Sequence, residues 1–255
     1  MFDTANRRSM PQYVPALVSK LARRLALSLA DQQALLAASS TPRHAVRGDC
    51  LIREDGETTS LVILCRGMAR AVRSLTDGNQ QIVALFVAGD MLNAGDLFFP
   101  RSRTSISALT SAISLSIPLE QLGRLITNRP AIARALWQET AAQAAIQQEW
   151  MVWLGRRTAQ ARLAHFLCEV SFRLQIDGHD ARDGFDLPLT QQELADILGL
   201  SAVHVNRVLQ VLRSQDLIEL RSNRLIIRDK AGLYEIAEFD PRYLSGLEPP
   251  DTGAN

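Results

Sequence analysis

The chain has 255 residues, 47% of them hydrophobic, with 28 basic against 27 acidic side chains and a formal net charge of +1. That length suits two domains with real cores, and the balanced charge excludes a chain that is basic throughout, so a nucleic-acid binder of this composition must gather its arginines locally. Three widely spaced cysteines, Cys50, Cys65 and Cys168, argue for a reducing compartment and against a disulfide framework, and no apolar run is long enough to span a membrane.

Residues 1–40 read as a helical lead-in. Leu17, Leu21, Leu25 and Leu29 recur at helical spacing among Lys20, Arg23 and Arg24. Ser28 with Asp31 is a cap for a fresh turn before Leu35 and Leu36. The basic amphipathic start lacks the apolar core and cleavage site of a signal peptide, so a cytoplasmic location is expected. From Arg43 to Pro118 the pattern changes to short apolar runs bounded by turn residues. Strands are predicted over 49–53, 60–65, 69–75, 80–86, 105–109 and 112–117, and Asp77–Gly78 is the strongest hairpin-turn signal. Such runs suggest a small antiparallel barrel or sandwich over 41–128, of a size that encloses one small ligand.

Helix resumes near Leu119. The segment from Pro130 to Leu154 has no internal proline or glycine, and at about 1.5 Å per residue it extends roughly 40 Å. Ala141, Ala144, Ala145 and Gln148 make a thin stripe, while Trp137, Trp150 and Trp153 are much apolar surface for a single helix. These features predict a dimer-forming helix over 129–155, of coiled-coil character but with an irregular heptad, and with Met151 and Leu154 in its seam. A helix lying on its own β domain is the alternative. Gly155-Arg156-Arg157 marks a hinge into a C-terminal domain over 156–255, whose first helix has Leu163, Phe166, Leu167 and Val170 on its apolar face.

Leu189 to Gln215 reads as two short helices joined by a tight turn. Thr190 and Glu193 form the S/T-x-x-E capping box of the first, and Leu194, Ile197 and Leu198 are its apolar face. Gly199 ends it, Ser201 caps the second helix, and Val205, Val208, Leu209 and Leu212 form the next apolar stripe. Ala202, Val203, His204, Asn206, Arg207 and Gln210 are left for the other face, and no acidic residue lies between Gly199 and Gln215. Such a face suits the major groove of DNA. An ordinary helical hairpin shares these caps, but has no reason to be followed by Leu217–Leu220, a basic turn Arg221-Ser222-Asn223-Arg224 and Leu225–Ile227. Helix, turn, helix and two-stranded wing is the winged-helix order, with Arg221 and Arg224 suited to phosphates.

The whole order resembles the Crp–Fnr superfamily of bacterial transcription regulators, over nearly the entire chain. L-T-Q-Q-E-L-A-D-I-L-G-L-S from Leu189 is similar to the family's first helix and turn, H-V-N-R-V-L-Q-V-L from His204 to its recognition helix, and Q-Q-I-V-A-L-F-V-A-G-D from Gln80 to the strand before its effector cassette. The V-H-V-N-R run and the F-D-P-x-Y-L tail at Phe239 to Leu244 resemble an alphaproteobacterial group. The resemblance implies an α+β chain: a cyclic-nucleotide-binding-like antiparallel β-barrel (jelly roll), a long dimerisation helix and a winged helix-turn-helix. It implies a homodimer on double-stranded DNA with a near-palindromic operator, and contact with RNA polymerase. It assigns Thr190, Gln192 and Ser201 to phosphates and Arg207 to a base, an arginine fork fitting guanine O6 and N7. Val203 stands where many members have a glutamate, so a different operator is expected, with the valine methyl on a thymine methyl and His204 at a base or phosphate. Asn206 lies beside Arg207.

For the effector, members that bind cyclic AMP carry a ribose-gripping glutamate and then an R-S/T pair for the phosphate. Here the glutamate position is Ala94, next to Asn93, and Arg103–Thr104 matches the pair. Asn93, Ala94, Arg103 and Thr104 are the candidate effector pocket, cyclic AMP is not expected in it, and no cofactor is assigned. No cysteine precedes Cys50, against an N-terminal iron–sulfur group. His165 and Cys168, three apart, read as core residues rather than metal ligands. No metal motif, phosphate loop or nucleophile elbow is present, so no enzyme is expected. The second reading is a ligand or redox (haem or thiol) sensor that acts through protein contacts, with a degenerate DNA module.

Overall fold

The computed structural model describes residues 20–21, 27–176 and 184–245. Most of the expected lead-in helix, with Leu17, Arg23, Arg24 and Leu25, lies outside the described residues. Helix α1 (Leu29–Ala38) starts where Ser28 Oγ accepts from Asp31 N at 3.1 Å, as the cap signal implied.

Seven strands follow: β1 (Arg43–Ala45), β2 (Cys50–Ile52), β3 (Ser60–Arg66), β4 (Ala69–Ser74), β5 (Gln80–Phe86), β6 (Ser105–Ala108) and β7 (Ala112–Pro118). They pair antiparallel in two sheets of order β1-β7-β3 and β2-β6-β4-β5. Neither sheet closes, which corrects the expected barrel to an open jelly-roll-like β-roll. The outer strands β1 and β2 are three residues each, too short for the continuous ladder that closure demands. Strand β1 has no signature in the sequence because only Ala45 in it is buried, leaving no alternation to detect. At the β4–β5 turn Gly78 takes φ +85°, and Leu75 N donates to Asn79 O at 2.8 Å.

Among the described residues three apolar clusters hold the elements together. Leu64, Ala69, Ala71, Phe86, Ile106 and Ala108 meet between the sheets. Leu61, Ile63, Leu115 and Ile117 pack with Leu35 of α1, Leu122 of α2 (Leu119–Asn128), and Ile132 and Ala135 of α3 (Pro130–Arg156). The third cluster joins the two halves of the chain. It runs from Met68, Val72, Ile82 and Leu85 through Trp150 and Trp153 to Leu163 and Phe166 of α4 (Ala159–Ile176), and on to the C-terminal domain.

That cluster revises the reading of α3. Trp150 and Trp153 are buried in the molecule's own core, and Leu154 packs against it as well, so none of the three is in an exposed seam. Of the tryptophans only Trp137 faces solvent, at 78% exposure. Trp137, Ala141, Ala144, Gln148, Met151 and Gly155 form an exposed line at alternating four- and three-residue steps. The line has heptad spacing, though Gln148 and Gly155 interrupt its apolar character and half-buried Ala145 falls outside it. The helix runs through Gly155 and ends where Arg157 N donates to Trp153 O at 3.2 Å.

The C-terminal domain holds α5 (Gln191–Leu198), α6 (Ala202–Ser214), β9 (Ile218–Arg221), β10 (Arg224–Ile227), α7 (Lys230–Ala237) and α8 (Arg242–Ser245). An unforeseen two-residue strand, β8 (Phe185–Asp186), pairs with β10 and makes the wing three-stranded. Among the described residues no helix is long and apolar enough to cross a membrane.

Candidate nucleic-acid interface and the pocket of the β-roll

The helix-turn-helix is built by local chemistry. Thr190 Oγ1 accepts from Glu193 N at 3.1 Å while Thr190 N donates to Glu193 Oε2 at 2.7 Å, the reciprocal capping box. Gly199 ends α5 with φ +63°, a conformation an L side chain resists. Ser201 Oγ accepts from His204 N at 3.2 Å and starts α6. Both caps use the hydroxyl oxygen as acceptor, which leaves each O–H proton to donate to a phosphate.

Helix α6 buries Val205, Val208, Leu209 and Leu212 and exposes Val203, His204, Asn206, Arg207 and Gln210. Val203, Asn206, Arg207 and Gln210 share one outward line, with Val203 at 73% exposure. His204 is turned about 100° from Val203, and Arg207 lies between the two directions. Gln191, which no sequence signal singled out, places its Nε2 3.5 Å from Asn206 Oδ1. Exposed Gln192 donates to Asp196 Oδ1 at 2.8 Å along α5.

At the wing tip Ser222 and Asn223 both have positive φ, 48° and 64°, so the reversal is a two-residue turn flanked by paired Arg221 and Arg224. The wing carries counterions that sequence reasoning missed. Arg221 Nε lies 2.9 Å from Glu219 Oε1, Arg228 pairs with the same carboxylate, and Arg224 Nη1 lies 3.7 Å from Asp186 Oδ1. The hydrogen bond from Arg228 holds the Glu219 carboxyl below its usual range. Such solvent-facing pairs are weak, and a phosphate competes readily for the arginines.

A buried polar network ties this domain to the rest. Asp90, after β5, takes Lys20, Arg173 Nη2 at 2.7 Å and Val87 N at 2.7 Å. Burial favours the protonated acid, but the Lys20 and Arg173 charges outweigh it and hold the Asp90 carboxyl below its usual range. Lys20 also lies 3.1 Å from Glu139 of α3. Glu169 of α4 accepts from Arg173 Nη1 at 3.3 Å, Trp150 Nε1 at 3.1 Å and the Tyr243 hydroxyl at 2.9 Å, and burial pushes its carboxyl up. Tyr243 Oη lies 3.1 Å from His165 Nε2, and Arg157 donates to His165 Nδ1. His165 Nδ1 also lies 3.2 Å from Ala237 O, so the ring is held from both sides. Burial pushes His165 down to about 4 against the opposing hydrogen bond to Ala237 O, and the Arg157 charge adds to the lowering. His165 and Cys168 are thus core residues of α4, as expected from the apolar face they share. The Phe239–Leu244 tail also gains a role, since Phe239 and Tyr243 flank the His165 ring at 5.0 and 6.0 Å.

The four expected effector residues do meet, at a cavity of about 470 Å³ between β4–β5, the 93–96 turn and α3. Two of them, Asn93 and Arg103, already have partners within the protein. Asn93 Oδ1 accepts from Val62 N and its Nδ2 donates to Ser60 O, both at 2.9 Å, so it braces β3. Ala94 offers no polar side-chain atom. Arg103 Nε donates to Asp96 Oδ1 at 3.1 Å, and its guanidinium lies 4.4 Å from the Phe99 ring centroid. Asp96 is buried and also accepts from Ser102 Oγ at 2.8 Å. The signal for this internal counterion was present in the sequence, as an acid two residues after Ala94 in the same turn.

Models of two protein families match the chain, the cyclic nucleotide-binding domain over residues 42–129 and the Crp-like helix-turn-helix domain over 161–236. A probable transcriptional activator of Rhizobium leguminosarum bv. viciae is 31% identical over 186 residues, covering 72% of this chain and 76% of its own. The nitrogen fixation regulation protein FixK of Azorhizobium caulinodans is 29% identical over 84% of this chain and 87% of its own. The solved structure of FixK2 from Bradyrhizobium japonicum superposes with a TM-score of 0.70 at 26% identity, covering 77% of this chain and 96% of its own. With both domains matched in this order, and with likeness of this extent to a regulator, the chain belongs to the Crp–Fnr family of DNA-binding transcription regulators.

Proposed function

We propose that the protein works in the cytoplasm as a homodimer joined along α3, which sets two α6 helices into successive major grooves of a near-palindromic operator. One observation carries this reading: Val203, Asn206, Arg207 and Gln210 lie exposed on one line of a helix that contains no carboxylate. Arg207 reads a guanine edge, Val203 packs on a thymine methyl, and His204 reaches a base or a phosphate. Thr190, Gln192, Ser201 and the wing arginines Arg221 and Arg224 hold the backbone. The exposed heptad from Trp137 to Gly155 supports pairing along α3. Relatives named as transcriptional activators support contact with RNA polymerase as well.

The β-roll does not use cyclic AMP in this reading. Ala94 has no acceptor for a ribose hydroxyl, and Asp96 already neutralises Arg103. The test is selection of duplexes from a random pool by the purified protein, with and without the nucleotide. An inverted repeat with half-sites about one helical turn, roughly 34 Å, apart is expected, and cyclic AMP is expected to leave affinity unchanged. Enrichment of a single unpaired site would sink the dimer reading. Stronger DNA binding at micromolar nucleotide would overturn the account of the pocket.

A further inference from the structure

The β-roll grips α5 at both ends. At the N-terminal end the Glu193 carboxylate, already half of the capping box, accepts from Arg47 Nη2 at 2.8 Å on each oxygen and from Arg70 Nη1 at 2.8 Å. Arg47 Nη1 also donates to Leu109 O at 2.6 Å and to Pro188 O at 2.7 Å, bridging the end of β6 and the approach to α5. At the C-terminal end Gln81 of β5 donates to Asp196 O at 2.5 Å and Ile197 O at 3.3 Å, two of the carbonyls a helix end leaves free. Helix α5 packs directly on β5 between these points. The reading face of α6 stays exposed throughout.

We propose that Glu193, Arg47 and Arg70 are positioning residues that set which spacing of operator half-sites the protein accepts. This rests on the reading of the chain as a dimer on an inverted repeat. With α3 as the fixed seam, the distance and angle between two α6 helices depend on how firmly each helix-turn-helix is held to its own β-roll. Adding one base pair between half-sites turns one of them by about a tenth of a turn. Two firmly held helices cannot follow that rotation, so the second half-site adds avidity only at the matched spacing. Loosely held helices reach several spacings, each with a smaller gain.

Glu193→Gln separates this role from the helix cap, because a capping box accepts glutamine in place of glutamate while the charge facing two arginines is removed. The experiment measures binding to an inverted repeat, to the same repeat with one or two base pairs added or removed, and to a single half-site. Wild type is expected to disfavour each one-base-pair change by about ten-fold or more. Glu193→Gln, and the Arg47→Gln/Arg70→Gln pair that leaves α5 untouched, are expected to shrink that preference to about three-fold or less with half-site affinity unchanged. Arg47→Lys/Arg70→Lys keeps both charges and is expected to restore most of the preference. Variants that retain the wild-type spacing profile would overturn the inference. So would a parallel loss on half-site and repeats, which marks a role in folding the helix-turn-helix alone. A wild-type protein that gains nothing from a second half-site defeats the dimer reading itself, and the spacing role with it.

Discussion

Arg207 is carried in the second turn of α6, on a helix of thirteen residues that contains no acid, and its exposed side chain stands between the Val203 and His204 directions. The wing arginines differ in kind, since Arg221 and Arg224 already face the carboxylates of Glu219 and Asp186. Exchange of one anion for another supplies affinity without reading sequence. Arg207→Ala is therefore expected to lose ~1–3 kcal/mol on the preferred operator and to relax preference at one base pair per half-site. Arg224→Ala is expected to weaken all sequences about equally and to lower the salt slope by roughly one for each phosphate left without its arginine. Binding to single-base operator variants at two salt concentrations distinguishes the two. An even loss across the panel for Arg207→Ala would reduce it to a phosphate ligand and move specificity to His204, Val203 and DNA deformability.

At the scale of elements, α3 presents one face to the core and another to solvent. Trp150, Trp153 and Leu154 close the molecule's own core, and the Leu154 Cδ2 atom lies 3.2 Å from where a Cβ on Gly199 would stand, against the helix-turn-helix. Met151, 67% exposed, lies on the opposite heptad line with Ala141 and Ala144, whose small side chains let a second helix approach. Met151→Glu is expected to yield folded monomers, because a charge would be buried in the apolar seam between copies. Leu154→Glu is expected instead to lower stability by about 2 kcal/mol or more, by placing a carboxylate against the core. Sedimentation and denaturant unfolding of both variants check this; a Met151→Glu protein that still sediments as a dimer would place the interface elsewhere.

For the whole molecule the decisive side chain is Arg173. It is buried and donates to Asp90 in the turn after β5, to Leu85 O, and to Glu169 one helical turn away. Through Glu169 it meets Trp150 of α3 and Tyr243 of the tail, so one guanidinium joins the β-roll, the long helix and the DNA-binding domain. Removing one partner of a buried ion pair leaves an uncompensated charge, at about 3–5 kcal/mol. Arg173→Met should lose stability of that order in urea unfolding, and adding Glu169→Gln should recover part of it. A loss under about 1 kcal/mol would mean that water reaches the junction and solvates the acids.

What the sequence determined by itself was whatever acts within a few residues along the chain. The capping box at Thr190 and Glu193, the Gly199 stop, the Ser201 cap and the Val205–Leu212 stripe are interactions of near neighbours, and each stands where the spacing put it. The turn at Asp77–Gly78 and most strand positions were legible for the same reason. Tertiary structure decided the partners. Helical periodicity shows which residues of α3 share a face, but only the cluster with Met68, Val72, Ile82 and Leu85 shows that Trp150 and Trp153 turn inward, while Trp137 is left exposed. The Arg103–Asp96 pair spans 7 residues, Arg173–Asp90 spans 83 and Arg47–Glu193 spans 146. No local pattern encodes pairings of the last two kinds, because a charged side chain has no periodicity that names its counterion. Burial decides it, by making each unpaired charge too costly to leave and so selecting the one arrangement in which the long-range partners meet.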